Sequence, residues 1–97
     1  MHSRTVNSTA DIKNTGGGAI FVNYGGTVTI TGGLFEGAGI DISVFINAKG
    51  TSTIKGCTIK ATGDNGSAIR NGPEGGTVFL SSSAKIFGDI LGTITPL

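Results

Sequence analysis

Gly16-Gly17-Gly18-Ala19-Ile20-Phe21-Val22-Asn23-Tyr24-Gly25-Gly26-Thr27-Val28-Thr29-Ile30 reads as two short strands joined at a tight corner. The chain then repeats it. Val44-Phe45-Ile46-Asn47-Ala48-Lys49-Gly50-Thr51-Ser52-Thr53-Ile54 has the same order of apolar, Asn, Gly and Thr residues. Ala68-Ile69-Arg70-Asn71, followed by Gly75-Gly76-Thr77-Val78-Phe79-Leu80, has it again. A unit that recurs at this length is the mark of a solenoid.

Set in register, Phe21, Phe45 and Ile69 are 24 residues apart, as are Asn23, Asn47 and Asn71. Ile30 and Ile54 keep that step, and Leu80 follows at 26 because Pro73-Glu74 lengthens the third corner. Phe35 and Ile59 repeat at 24, with Ile86 later. Each unit therefore holds three short strands. The first are 20–23, 44–47 and 68–71, the second 27–31, 51–55 and 77–81, and the third 34–36, 58–60 and 85–87. A partial unit comes first, with Thr5-Val6-Asn7 as a second strand and Ala10-Asp11-Ile12 as a third. The tail from Ile90 begins another turn, which Pro96 is expected to stop.

The fold expected is all-β: a short single-stranded parallel β-helix of three to four coils, each of roughly 24 residues, rising about 4.8 Å per coil. Residues 1–97 make one domain, with 1–15 a partial first coil and 88–97 a partial last one. Side chains alternate along a strand. Phe21, Phe45, Ile69, Val28, Ile30, Ile54, Val78, Leu80, Phe35, Ile59 and Ile86 then point inward in vertical stacks. Asn23, Asn47 and Asn71 stack at one corner, where their amides can pair with backbone groups. A sandwich or antiparallel barrel also suits Gly- and Thr-rich short strands. The aligned recurrence of Phe, Asn, Gly-Thr and Ile favours the solenoid.

Composition agrees. Charged residues are 13% of the chain and Gly is 18 of 97, with only 2 Pro, which does not suit a disordered tract. The net charge of +1, without a basic run, argues against nucleic acid and anionic lipid as partners. No apolar run is long enough to span a membrane. Met1-His2-Ser3-Arg4 leads into polar residues, not the apolar core of a signal peptide. The expectation is an excised piece, a chain exported by another route, or a virion part.

Gly17-Gly18-Ala19-Ile20, then Asn23, Gly25-Gly26-Thr27-Val28-Thr29-Ile30 and Phe35-Glu36-Gly37, resemble the repeats of right-handed parallel β-helix proteins. These include passenger domains of autotransporter-type adhesins, polymorphic outer-membrane proteins and phage tailspikes. The resemblance covers residues 5 to 95 or so. It implies a fold more than an activity, because the same solenoid serves pectin lyase-like enzymes, tailspikes and adhesins. Two departures stand out. Gly-Gly-Ala-Ile occurs once, and Asn23 follows Phe21 by two residues, not the three of the polymorphic-protein motif. A complete autotransporter is not expected.

Residues for chemistry are few. Asp41, Asp64 and Asp89 recur near one corner, as an acid pair or calcium site would, but Asp beside Gly more often marks a turn. Arg70 with Glu74 reads as a solvated ion pair. Cys57, the single cysteine, reads as a small buried residue. Calcium nonapeptides, His-Cys clusters and phosphate loops are absent from the sequence. No enzyme, metal or cofactor is expected. The enzyme alternative is a fragment of a polysaccharide-degrading tailspike. Thr27, Thr29, Thr51 and Thr53 form an outward ladder suited to glycan contact, with ice binding as a remote alternative that Phe79 interrupts.

The first strands carry apolar residues at outward parity: Ile20, Val22, Val44, Ile46 and Ala68. Such a patch marks a partner surface. A β-helix also exposes strand edges at its ends, and neither Met1–Thr15 nor Pro96-Leu97 reads as an amphipathic cap. The expected protein is a homo-oligomer or one subunit of a fibre. It would be a non-enzymatic structural or adhesive module, extracellular, on a cell surface or in a virion.

Overall fold

The computed structural model describes residues 3–6, 11–14, 18–72 and 75–97, the first two segments by backbone alone. Thirteen strands follow one another: β1 (Ser3–Val6), β2 (Asp11–Asn14), β3 (Phe21–Tyr24), β4 (Thr27–Ile30), β5 (Leu34–Gly37), β6 (Ser43–Ala48), β7 (Thr51–Ile54), β8 (Thr58–Ala61), β9 (Ser67–Asn71), β10 (Thr77–Leu80), β11 (Lys85–Phe87), β12 (Asp89–Leu91) and β13 (Thr95–Pro96). Every third strand joins the same sheet. Sheet A runs β1-β4-β7-β10-β13, sheet B β2-β5-β8-β11, and sheet C β3-β6-β9-β12. All pairings within them are parallel. The architecture is a short parallel β-helix with three strands per coil, and the described residues contain no helix.

The 24-residue register holds. Phe21 pairs with Phe45, and Phe45 with Ile69. Ile30 pairs with Ile54, which pairs with Leu80 across the longer third corner. Phe35, Ile59 and Ile86 form the column of sheet B. The core is these columns: Val28, Ile30, Phe35, Phe45, Ile54, Ile59, Ile69 and Val78 are buried, with Phe21, Leu80 and Ile86 packed against them. Alternation explains this, since one face of each short strand looks to the axis. Burying each large apolar side chain contributes about 1.5–3 kcal/mol. The Phe21 and Phe45 rings lie parallel, with centroids 5.1 Å apart and planes 6° apart.

Alternation fails at the corner between sheets B and C. Val44 and Ala68, expected to point outward, are 1% and 0% exposed. Ile20 is half-buried and packs on the core. The backbone turns there, so two successive residues face inward: Val44 with Phe45, and Ala68 with Ile69. Val44 fills space that Gly37 leaves open, for a Cβ at Gly37 would lie 2.8 Å from Val44 Cγ2.

The first coil pairs as expected, with Val6 opposite Ile30 and Ile12 opposite Phe35. The tail departs from expectation. Pro96 does not end the pairing but lies opposite Leu80, and the Leu97 N–H donates to the Leu80 carbonyl at 3.0 Å. β13 is an edge strand, so the N–H that Pro lacks belongs to the open side.

Candidate functional site

A buried polar column stands at the corner between sheets C and A. Asn23, Asn47 and Asn71 stack in register. The Gly26 N–H donates to Asn23 Oδ1 at 3.1 Å, which turns the Asn23 amide nitrogen along the axis. Asn23 Nδ2 then donates to Asn47 Oδ1 at 3.1 Å, and Asn47 Nδ2 to Asn71 Oδ1 at 3.1 Å. Corner carbonyls add to each rung: Gly26 and Thr51 accept from Asn23, and Gly50 and Thr77 from Asn47. Ser52 joins from sheet A, accepting from Asn23 Nδ2 at 2.9 Å and donating to Asn47 Oδ1 at 2.8 Å. Among the described residues no buried side-chain polar atom lacks a partner.

Gly50 and Gly76 make room for this column. A Cβ at Gly50 would lie 2.5 Å from Asn23 Nδ2, and one at Gly76 2.6 Å from Asn47 Nδ2. The Asn column was legible from spacing alone. Ser52 was not, although its column holds a signal: it stands between Val28 and Val78, a polar residue at an inward position.

At its N-terminal end the column opens into a shallow cavity of ≈ 190 Å³ lined by Phe21, Val22, Asn23, Tyr24, Gly26, Thr27 and Val28. A second, at the other end of the column, is lined by Asn71, Gly72, Gly75, Gly76, Gly92 and Thr93. Among the described residues neither is lined by a carboxylate or a histidine.

On the outer face of sheet C, Val22, Ile46, Arg70 and Leu91 stand in one column, and Tyr24 stands beside Ala48. Val22 is 57% exposed, Tyr24 70% and Leu91 48%; Ile46 is half-buried. Of the five expected contact residues, Val22 and Ile46 therefore lie on this face, while Ile20, Val44 and Ala68 turn to the core. Tyr24 and Leu91 take their places, and Tyr24 shares the parity of Val22 in the sequence. Lys49 Nζ lies 5.2 Å from the centroid of the Tyr24 ring.

On sheet A, Thr27, Thr51 and Thr77 form one outer column, and Thr29, Thr53 and Phe79 the next. The backbone register continues into the first coil, with Ser3 opposite Thr27 and Thr5 opposite Thr29. The four expected threonines are half-buried.

Among the described residues Asp41, Asp64 and Asp89 do not come together as one cluster. Asp41 stacks on Asn65, not on Asp64: Asn65 Nδ2 donates to Asp41 Oδ1 at 2.6 Å, and the Asp41 N–H donates to the Asp64 carbonyl at 3.0 Å. Asp41 and Asn65 both have left-handed backbones, with φ of 58° and 56°. That is the conformation Asp and Asn tolerate at turns. Asp89 lies elsewhere, opposite Ser67 in β12. Glu74, paired with Arg70 in the sequence reading, is outside the described residues. No group of three His, Cys, Asp or Glu among the described residues is placed to hold a metal. Cys57 is buried, and desolvation pushes its thiol pKa up. No described helix is long and apolar enough to cross a membrane.

Compared with protein-family models, curated proteins and solved structures, the chain matches none of them.

Proposed function

We propose that this chain is a non-enzymatic structural and binding module that self-associates or forms part of a surface appendage or phage fibre, working outside the cell, on its surface or in a virion. The observation that carries this reading is the outer face of sheet C, where exposed Val22 and Tyr24 stand beside Ile46, and Arg70 separates Ile46 from the exposed Leu91. Apolar side chains grouped on one flat face are what an interface between subunits uses. The solenoid supplies rigidity: its core columns and its amide column tie each coil to the next. The threonines at 27, 29, 51 and 53, paired across β4 and β7, give a second face for an adhesive contact to glycan.

The tailspike-enzyme alternative needs two carboxyls facing each other across a groove, within about 5–10 Å. Asp41 is instead engaged by Asn65 at a corner, which weighs for the scaffold. Phe79, which follows Thr29 and Thr53 in their column, weighs against an ice-matching face.

Sedimentation velocity of the purified chain tests the reading. A concentration-dependent oligomer that Val22→Lys with Ile46→Lys dissolves, with the β circular dichroism unchanged, is the expected result. A monomer at the highest soluble concentration refutes it.

A further inference from the structure

Among the described residues β3 is the terminal strand of sheet C and pairs with β6 alone. A strand at a sheet edge accepts a further strand on its other side. Two side chains at this edge look into the cavity at the N-terminal end of the column. Phe21 offers the ring face opposite the one stacked on Phe45. Asn23, 4% exposed, offers Oδ1, whose one partner among the described residues is the Gly26 N–H. A carbonyl oxygen has two lone pairs, so this atom retains room for a second donor.

The molecule contains two examples of what fills that place. One coil on, the oxygen equivalent to Asn23 Oδ1 is Asn47 Oδ1, and it accepts from the Nδ2 of the Asn beneath it at 3.1 Å. Two coils on, Asn71 Oδ1 accepts likewise from Asn47 at 3.1 Å. Each Asn also donates to the carbonyl of the Thr that opens the next strand of sheet A, Thr51 or Thr77. The equivalent residue at the open end is Thr27, which lines the same cavity. In every completed coil an apolar residue stands two before the Asn: Phe45 before Asn47, Ile69 before Asn71.

We infer that the β3 edge is a docking site for an extended peptide strand of another chain, carrying an apolar residue followed two positions later by Asn. The strand lies parallel to β3. Its apolar side chain stacks on Phe21, and its carboxamide donates to Asn23 Oδ1 and reaches the Thr27 carbonyl. Specificity comes from the amide. Asp in its place has no donor and sets a charge against a carbonyl oxygen, and Leu leaves Asn23 Oδ1 without its second bond. The inference does not rest on self-association through the face of sheet C, and either can stand without the other.

The test uses the full chain and the repeat's own strand as probe, an end-blocked peptide of sequence Ile-Ser-Val-Phe-Ile-Asn-Ala-Lys, identical to residues 42–49. Calorimetric titration gives its affinity, and amide hydrogen exchange gives its place. Binding is expected at a dissociation constant below about 1 mM, with an Asn→Asp peptide at least ~10-fold weaker. New protection is expected at Phe21–Tyr24. Equal binding of the two peptides overturns the inference. So does protection confined to the opposite edge at Asp89–Leu91, or the absence of binding.

Discussion

Asn47→Ala tests how far the amide column holds the coils together. Asn47 is fully buried, and its side chain makes five hydrogen bonds: three donated, to Gly50, Asn71 and Thr77, and two accepted, from Asn23 and Ser52. Not all are lost outright on truncation. The Gly50 carbonyl keeps the Thr77 N–H, and Asn23 Nδ2 keeps the Gly26 and Thr51 carbonyls. The Ser52 hydroxyl proton, in a fully buried side chain, loses its acceptor. Taking three to four effective bonds at about 1 kcal/mol each, the loss is about 3–4 kcal/mol. That is a large share of a stability of about 5–15 kcal/mol. Asn71→Ala is the control. Asn71 ends the column, its bond to the Thr93 carbonyl is exposed, and water can replace much of what is lost, so its cost is about 1 kcal/mol. In urea the two midpoints should differ by roughly 1 M, with slopes unchanged. A double-mutant cycle between Asn47 and Ser52 should give a coupling of at least about 0.5 kcal/mol. Equal costs for Asn47→Ala and Asn71→Ala, within about 0.5 kcal/mol, would refute a column whose strength lies in its buried middle rung.

Gly50→Ala should destabilise by about 1–3 kcal/mol, because its Cβ would press on Asn23 Nδ2 and the Gly26 carbonyl; the same urea titration measures it. Cys57 should resist a thiol reagent in the native chain and react fully in urea. Its folded pKa is raised from 9.0, so its contribution is fully present below that pH and is lost as pH rises from there through the folded value. Cys57→Ala should flatten that alkaline limb of the stability profile. Lys60→Ala should cost no more than about 1 kcal/mol, although its Nζ lies 5.3 Å from the Phe87 ring centroid, since that contact is at the surface. A larger loss by thermal melting would mean that Lys60 carries more than this contact.

The columns could be read from the sequence because each recurs at one fixed step: Phe21, Phe45, Ile69; Asn23, Asn47, Asn71. That step also decides what stacks where. Asp41 meets Asn65, one residue beyond Asp64, because the coil is 24 residues at that corner and not 23. What could not be read is the direction of side chains at a turn. Alternation says that Val44 and Ala68 oppose Phe45 and Ile69, and it holds only while the strand is straight. Where β6 and β9 leave the corner, the turning backbone brings both parities inward, and the small volume of Gly37 decides that Val44 fits. The exposed apolar residues of sheet C therefore shift along the strands, from the expected Ile20 and Val44 to Tyr24 and Leu91. Ser52 was hidden for a different reason. A polar residue in an apolar column becomes intelligible only once it is seen to bridge two rungs of the Asn column beside it.

The amide column also gives the solenoid a direction that its apolar columns do not. Every interamide bond points the same way, from Nδ2 of one coil to Oδ1 of the next. A column built so has an acceptor at its first rung, Asn23, and would have to offer a donor at its last. At that last rung the donor is already engaged, because Asn71 Nδ2 is held by the Gly76 carbonyl at 3.1 Å and the Thr93 carbonyl at 2.8 Å. The place above Asn71 falls to Gly92, which brings no amide and has no room for one: a Cβ there would collide with the Asn71 carbonyl. β13 closes sheet A with Pro96, which brings no N–H to the open side. The two ends therefore differ in kind. On the inference above, the N-terminal edge discriminates by the acceptor at Asn23, which has no counterpart donor free at Asn71 on the C-terminal one, where Ile90 and Leu97 are exposed. Peptide Asn→Asp at the first edge should change affinity, and the same exchange in a strand held at the second should not. If both edges took the two peptides alike, the column would serve stability only, and the selectivity assigned to Asn23 would be lost.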